Sequence, residues 1–174
     1  ALVGVTFTPE TFACSVDVVG ISNLVTFSES IPPYWKPTWA QVFATRIGDH
    51  RTDEGRALLE KRSPLNYVDR ITKPLLIAQG ANDPRVKQAE ADQIVKAMQD
   101  KGIPVTYVLY PDEGHGFARP ENSLSFNAVV EAFLARHLGG RSEPIGDDFK
   151  DSSITVLTGA DQLPGLAETH QISG

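Results

Sequence analysis

Two loops of this sequence carry the residues of an acid–base pair. The apolar run Pro74-Leu75-Leu76-Ile77-Ala78 breaks at Gly80 and leads into Asn82-Asp83-Pro84-Arg85-Val86. A second run, Val105-Thr106-Tyr107-Val108-Leu109-Tyr110, breaks at Pro111 and leads into Glu113-Gly114-His115-Gly116-Phe117. A neutral imidazole between a hydroxyl and a carboxylate takes the hydroxyl proton and returns it to a leaving group, while the carboxylate fixes the tautomer and stabilises the imidazolium. An acid followed by a histidine, each just past a strand, is the chain order of the last two members of one class of Ser…Asp…His triad. The first member is absent, because no Gly-x-Ser-x-Gly occurs in the sequence. Each residue alone also fits a plainer role: Asp83 as a turn cap before Pro84, His115 as a surface loop histidine.

The flanking elements decide whether the two loops can meet. Residues 1 to about 7 read as the end of a helix, and Phe12 to Val19 reads as a buried strand that stops at Gly20. Residues 21–37, with Pro32, Pro33, Pro37, Tyr34 and Trp35, read as an irregular loop. A short helix is expected over Trp39–Arg46, and another from a Thr52 cap through Arg56, Leu58 and Leu59, ending before Pro64. Ala91, Ile94, Val95 and Met98 lie at i, i+3, i+4 and i+7, the spacing of an amphipathic helix, with Gly102 and Pro104 closing it. Phe126, Val129, Val130, Phe133, Leu134 and Leu138 repeat that spacing up to Gly139-Gly140. Strand and helix alternate, so the fold class is α/β: parallel strands with helices on both faces. Parallel strands share one direction, and ligands bind past their C-terminal ends, so Asp83 and His115 emerge side by side if their strands are neighbours.

The 174 residues are 41% hydrophobic, enough for one domain with a core. The net charge of −6 and the lack of a Lys/Arg run argue against nucleic acid as a partner. Apolar runs are too short for a membrane span. The single cysteine, Cys14, excludes an internal disulfide and reads as a small buried hydrophobe. Residues 141–174 are mostly polar, acidic and Gly/Pro-punctuated, with one apolar island at Ile154–Leu157, and read as an extended C-terminal tail, free or docked in part. The chain opens in apolar sequence at Ala1, and its only methionine is Met98; the expectation is a start inside an element, as in the C-terminal piece of a longer protein.

The stretches Ser63-Pro64-Leu65-Asn66-Tyr67-Val68, Ile71-Thr72-Lys73-Pro74-Leu75-Leu76-Ile77, Gly80-Ala81-Asn82-Asp83-Pro84-Arg85-Val86 and Tyr110-Pro111-Asp112-Glu113-Gly114-His115-Gly116-Phe117 together resemble the catalytic domain of the prolyl oligopeptidase family of serine peptidases. The branch they are most similar to is the bacterial one of acylaminoacyl-peptidase and dipeptidyl-peptidase type. The resemblance implies the C-terminal portion of an α/β-hydrolase fold over residues 1–140, with 141–174 as the tail. It implies Asp83 as triad acid, His115 as triad base and Arg85 as a binder of a substrate carbonyl, its guanidinium offering a fork of donors. Pro84 stands where many members have a second acidic residue. The opening Ala1-Leu2-Val3-Gly4 is similar to the helix after the nucleophile elbow, which would put the serine a few residues upstream of Ala1.

The expected function is therefore that of a serine peptidase in a longer parent, hydrolysing peptide bonds in oligopeptides by acyl transfer without a metal or other cofactor. Its partners would be a peptide substrate and the missing N-terminal part of the same protein, with the elbow and a β-propeller. The isolated chain, lacking the serine and the oxyanion donors, is expected to be inactive. Family analogy gives a bacterial periplasm or cytoplasm without choosing between them. The rival readings are a carboxylesterase using the same triad and a non-catalytic module that only binds. Asp49-His50 with Asp53 and Glu54 raises a metal site, against a solvated helix-start loop; His50, His137 and His170 share no ligand spacing. Tyr34, Trp35 and Trp39 could line a substrate pocket or pack beneath the Pro-rich loop.

Overall fold

The computed structural model describes residues 1–163 and 165–166; His170 lies outside them. Four strands form one sheet in the order β1-β2-β3-β4, with β1 Ser15–Val18, β2 Leu75–Gly80, β3 Thr106–Tyr110 and β4 Thr155–Thr158. The first three are parallel, and β4 runs antiparallel to β3. Register places Leu76 opposite Thr106 and Gly80 opposite Tyr110, so β2 and β3 end level.

All six residues of β2 are buried, and their side chains alternate between two cores. Leu75 and Ile77 face one layer, packed with Leu2 and Val5 of α1 (Leu2–Phe7) and with Ala91, Ile94, Val95 and Met98. Leu76 and Ala78 face the other, with Val108, Tyr110, Val129, Phe133 and Val156. Burying a Leu, Ile, Met or Phe side chain in this way contributes about 1.5–3 kcal/mol relative to leaving it exposed. The continuous apolar run of β2 is thus the mark of a strand covered on both sides.

The remaining helices follow in chain order. α2 (Leu24–Glu29) is capped by Asn23, whose side chain accepts from the Val25 N–H at 2.9 Å. Single turns α3 (Lys36–Thr38) and α4 (Thr45–Ile47) flank a π-helical stretch, Trp39–Ala44. α5 (Asp53–Arg62) starts at Thr52, whose Oγ1 accepts from the Gly55 N–H, and stops before Pro64. Two long helices, α6 (Gln88–Asp100) and α7 (Pro120–Leu138), join α1 in covering the sheet.

Two elements differ from the sequence-based expectation. Residues 21–37 are not wholly irregular, since α2 occupies six of them; the Asn23 cap outweighs the nearby prolines. The first strand is four residues long, and Phe12 lies outside it, 43% exposed. Among the described residues beyond 140, the apolar island pairs as β4, and Ile145, Leu163 and Leu166 are buried.

Candidate active site

The topology that joins β2 and β3 also joins the loops that leave them. The Ala81 N–H donates to the Tyr110 carbonyl at 3.0 Å and the Asn82 N–H to the Glu113 carbonyl at 2.9 Å. The Asn82 amide adds a bond to the Pro111 carbonyl at 2.7 Å. Only a glycine permits this contact at position 80, where a Cβ would stand 2.2 Å from the Gly114 carbonyl oxygen.

Asp83 and His115 meet in this seam. His115 Nδ1 lies 2.8 Å from Asp83 Oδ2. The other carboxylate oxygen, Oδ1, accepts from the Arg85 N–H at 2.8 Å and the Val86 N–H at 2.9 Å. Asp83 is therefore a turn cap and a histidine partner at once, so the plainer reading and the catalytic one describe the same carboxylate. Its side chain is fully buried, whereas that of His115 is 32% exposed. An ionised Asp accepts only, so Nδ1 carries the proton and Nε2 is left as a basic nitrogen. A buried acid behind a solvent-facing imidazole is the arrangement that takes a proton from a hydroxyl and returns it. Gly116 follows with φ of +120°, a conformation that a side chain would strain.

The histidine loop is anchored by groups that sequence reasoning passed over. The buried Glu113 carboxylate accepts from the Ala118 and Arg119 N–H groups, both at 2.9 Å, and from Asn122 Nδ2 at 2.8 Å. α7 has no side-chain cap at Arg119, so this carboxylate serves the start of the helix, where negative charge is favoured. Burial raises the Glu113 acid, but these donors outweigh it and hold the carboxyl below its usual range. Asp112 sits beside it, bound by Ser153 Oγ, by Arg119 and by Asn122 Nδ2. The hydrogen bond from Ser153 leads the groups that lower the Asp112 carboxyl to about 2. The signal was present in Asp112-Glu113 directly ahead of Gly114-His115, but a buried acid and a solvated one look alike in a sequence.

On its other side, Asp83 is braced by Gln79, fully buried at the end of β2. Gln79 Nε2 donates to the carbonyls of Gly80 and Val86, both at 3.1 Å. Val86 packs in an apolar cluster with Phe27, Ile31 and Trp39. Trp35 and Trp39 both stack on Phe43, at 5.3 and 4.9 Å between centroids. Both tryptophans therefore pack, while Tyr34 remains 59% exposed. The buried Glu90 of α6 ties this region down by accepting from the Ser22 N–H at 3.1 Å and the Asn23 N–H at 2.9 Å.

Arg85 stands on the Asp83 loop, exposed, and its guanidinium forms no ion pair with a described residue. Asp49 is engaged by Arg51 through two side-chain bonds of 2.8 and 2.7 Å. Asp53 and Glu54 occupy the first turn of α5. Among the described residues no group of three or more His, Cys, Asp or Glu is gathered as metal ligands. Cys14 lies against the core that holds Leu76 and Phe133, and burial raises its thiol. Among the described residues no helix is long and apolar enough to cross a membrane.

The family model described as the prolyl oligopeptidase family matches residues 1–141. Dipeptidyl aminopeptidase BIII of Pseudoxanthomonas mexicana is 67% identical over 167 residues, which cover 96% of this chain and 24% of that protein. Dipeptidyl peptidase family member 6 of Caenorhabditis elegans is 51% identical over 155 residues, 89% of this chain and 21% of that protein. The chain therefore spans about a quarter of the length of these relatives. A puromycin-hydrolyzing peptidase of Mycobacterium tuberculosis superposes with a TM-score of 0.71 at 28% identity, over 81% of this chain and 20% of that one. The open, mostly parallel sheet is that of the α/β-hydrolase peptidases among these structures. With the family model covering both the Asp83 and the His115 loop, the chain belongs to the prolyl oligopeptidase family.

Proposed function

We propose that this chain supplies the acid and the base of a serine peptidase, whose nucleophile lies elsewhere in the parent protein. In this reading His115 Nε2 removes the proton of a serine hydroxyl as it attacks the scissile carbonyl. The imidazolium, held by Asp83, then protonates the leaving amine, and the acyl-enzyme is hydrolysed by the same steps with water. The observation that carries the reading is the 2.8 Å contact between His115 Nδ1 and the fully buried Asp83 carboxylate. Arg85, with a guanidinium free of ion pairs among the described residues, is assigned to a substrate carbonyl. Residues 1–140 form the C-terminal part of the catalytic domain, and 141–174 are appended to it. The missing N-terminal part supplies the serine and the oxyanion donors, so the isolated chain does not turn over peptides.

The names of the two relatives point to dipeptides as the released product. The full-length protein is expected to cleave dipeptidyl chromogenic amides with a higher kcat/KM than acylated single amino acid amides. Turnover of p-nitrophenyl esters with no cleavage of either amide would replace the peptidase reading with an esterase one.

A further inference from the structure

His115 sits in a loop that is poorly suited to hold it. Gly114 and Gly116 flank it, and glycines give a backbone the widest conformational freedom. Asp83 fixes one ring nitrogen, but a single hydrogen bond does not set the position of the backbone behind the ring. That position comes from the next residues along. Glu113 closes the loop into a ring by binding the N–H groups of Ala118 and Arg119, on the far side of His115. None of the hydrogen bonds of Glu113 goes to His115, so it holds the loop and not the imidazole.

Asn122, fully buried in the first turn of α7, connects this ring to the C-terminal segment. Its amide nitrogen donates to Glu113 Oε1 at 2.8 Å and to Asp112 Oδ1 at 3.0 Å. Its amide oxygen accepts from the Ser153 N–H at 2.9 Å and from Ser153 Oγ at 3.2 Å. Two carboxylates from one side and one serine from the other thus use both ends of a single amide. Asp112 and Ser153 also bind each other directly, and Arg119 reaches from Asp112 to the Asp151 carbonyl at 3.2 Å. Ser152 Oγ donates to Ser125 Oγ at 2.9 Å, one turn further along α7. The segment is not free to drift, because β4 begins two residues after Ser153 and pairs with β3.

We propose that Asn122 is a positioning residue for His115, and that it makes the placement of the base depend on the docking of residues 151–153. The proposal rests on His115 being the catalytic base. Asn122 touches no reacting atom; it acts by holding Glu113 and Asp112 while Ser153 holds it. The C-terminal segment is then part of the catalytic apparatus and not only a cover over the sheet. A displacement of the base by about 1 Å costs on the order of 100-fold in rate, with little reason for substrate binding to change.

The test is made in the full-length protein with Asn122→Ala, Ser153→Ala and, as a reference, His115→Ala. Turnover of a dipeptidyl p-nitroanilide is measured together with the rate of labelling by a fluorophosphonate, which reports how well the serine is activated. Asn122→Ala is expected to lower kcat roughly 10- to 100-fold with KM within about twofold, and to slow labelling in step. Ser153→Ala, which leaves the backbone N–H to Asn122 in place, is expected to lower kcat several-fold. If both variants keep kcat and labelling within twofold while His115→Ala is inactive, the positioning role is wrong and the base assignment stands. A rise in KM at constant kcat overturns the proposal as well. Should Asn122→Ala fail to fold, Ser153→Ala decides by the same criteria. Full activity in His115→Ala removes the premise itself.

Discussion

The Asp83 carboxylate divides its oxygens between two tasks. Oδ1 completes a turn with the N–H groups of Arg85 and Val86, and Oδ2 orients His115. Asp83→Asn separates these tasks. An asparagine oxygen still accepts from the two N–H groups, so the turn survives. Its amide nitrogen then faces His115 Nδ1 and donates to it, which moves the imidazole proton to Nε2, the wrong nitrogen for a general base. The full-length variant is expected to fold with an unchanged melting temperature and to lose on the order of 10⁴ in kcat. A loss below about tenfold would show that Asp83 is only the turn cap. At this scale the sequence was most informative. Asp83 and His115 were legible as a pair, from two strand ends in triad order, while each alone fits a plainer role, and Arg85 only through the family resemblance. Glu113 and Asn122 were not, since their roles depend on burial, which residue type does not announce.

Among the elements, β2 and α6 were the plainest in the sequence: an uninterrupted apolar run and a helical spacing of Ala91, Ile94, Val95 and Met98. The C-terminal segment was the least plain. β4 has the burial pattern of an edge strand with one buried residue, Val156, and its partner lies over forty residues back along the chain. A strand whose pairing is non-local leaves a weak local signal. Its docking to the histidine loop is nevertheless titratable. The Asp112 carboxyl, ordinarily near 3.8, is held at about 2 by Ser153, Arg119 and Asn122. A group whose folded value is depressed contributes stability that is present above its ordinary value and lost as pH falls through the folded one. The tether is therefore expected to be complete above about pH 4 and to loosen between there and about 2. Hydrogen exchange of the Ser153 amide, which Asn122 accepts, reads this directly. Its protection should fall over that window and should be already reduced above it in Asp112→Asn. Protection that is unchanged down to pH 2 would mean that Asp112 does not hold the segment.

The molecule as a whole is a mostly parallel sheet covered on both faces, with Asp83 and His115 brought together at one end. β1 forms the edge opposite β4, and Val18, at the end of β1, is 37% exposed. The parallel order β1-β2-β3 is what turns a separation of 32 residues in the chain into a 2.8 Å contact in space. Topology also explains why the loops fuse: Gly80 and Tyr110 stand opposite each other, and everything past them must share one rim. If this rim supplies the base of a serine peptidase, His115 is required for turnover. That requirement is tested most directly by kcat/KM of the full-length protein on a dipeptidyl p-nitroanilide, wild type against His115→Ala. The expected result is a loss of at least about 10³-fold with the fold intact; activity within a few-fold of wild type would show that His115 is not the base.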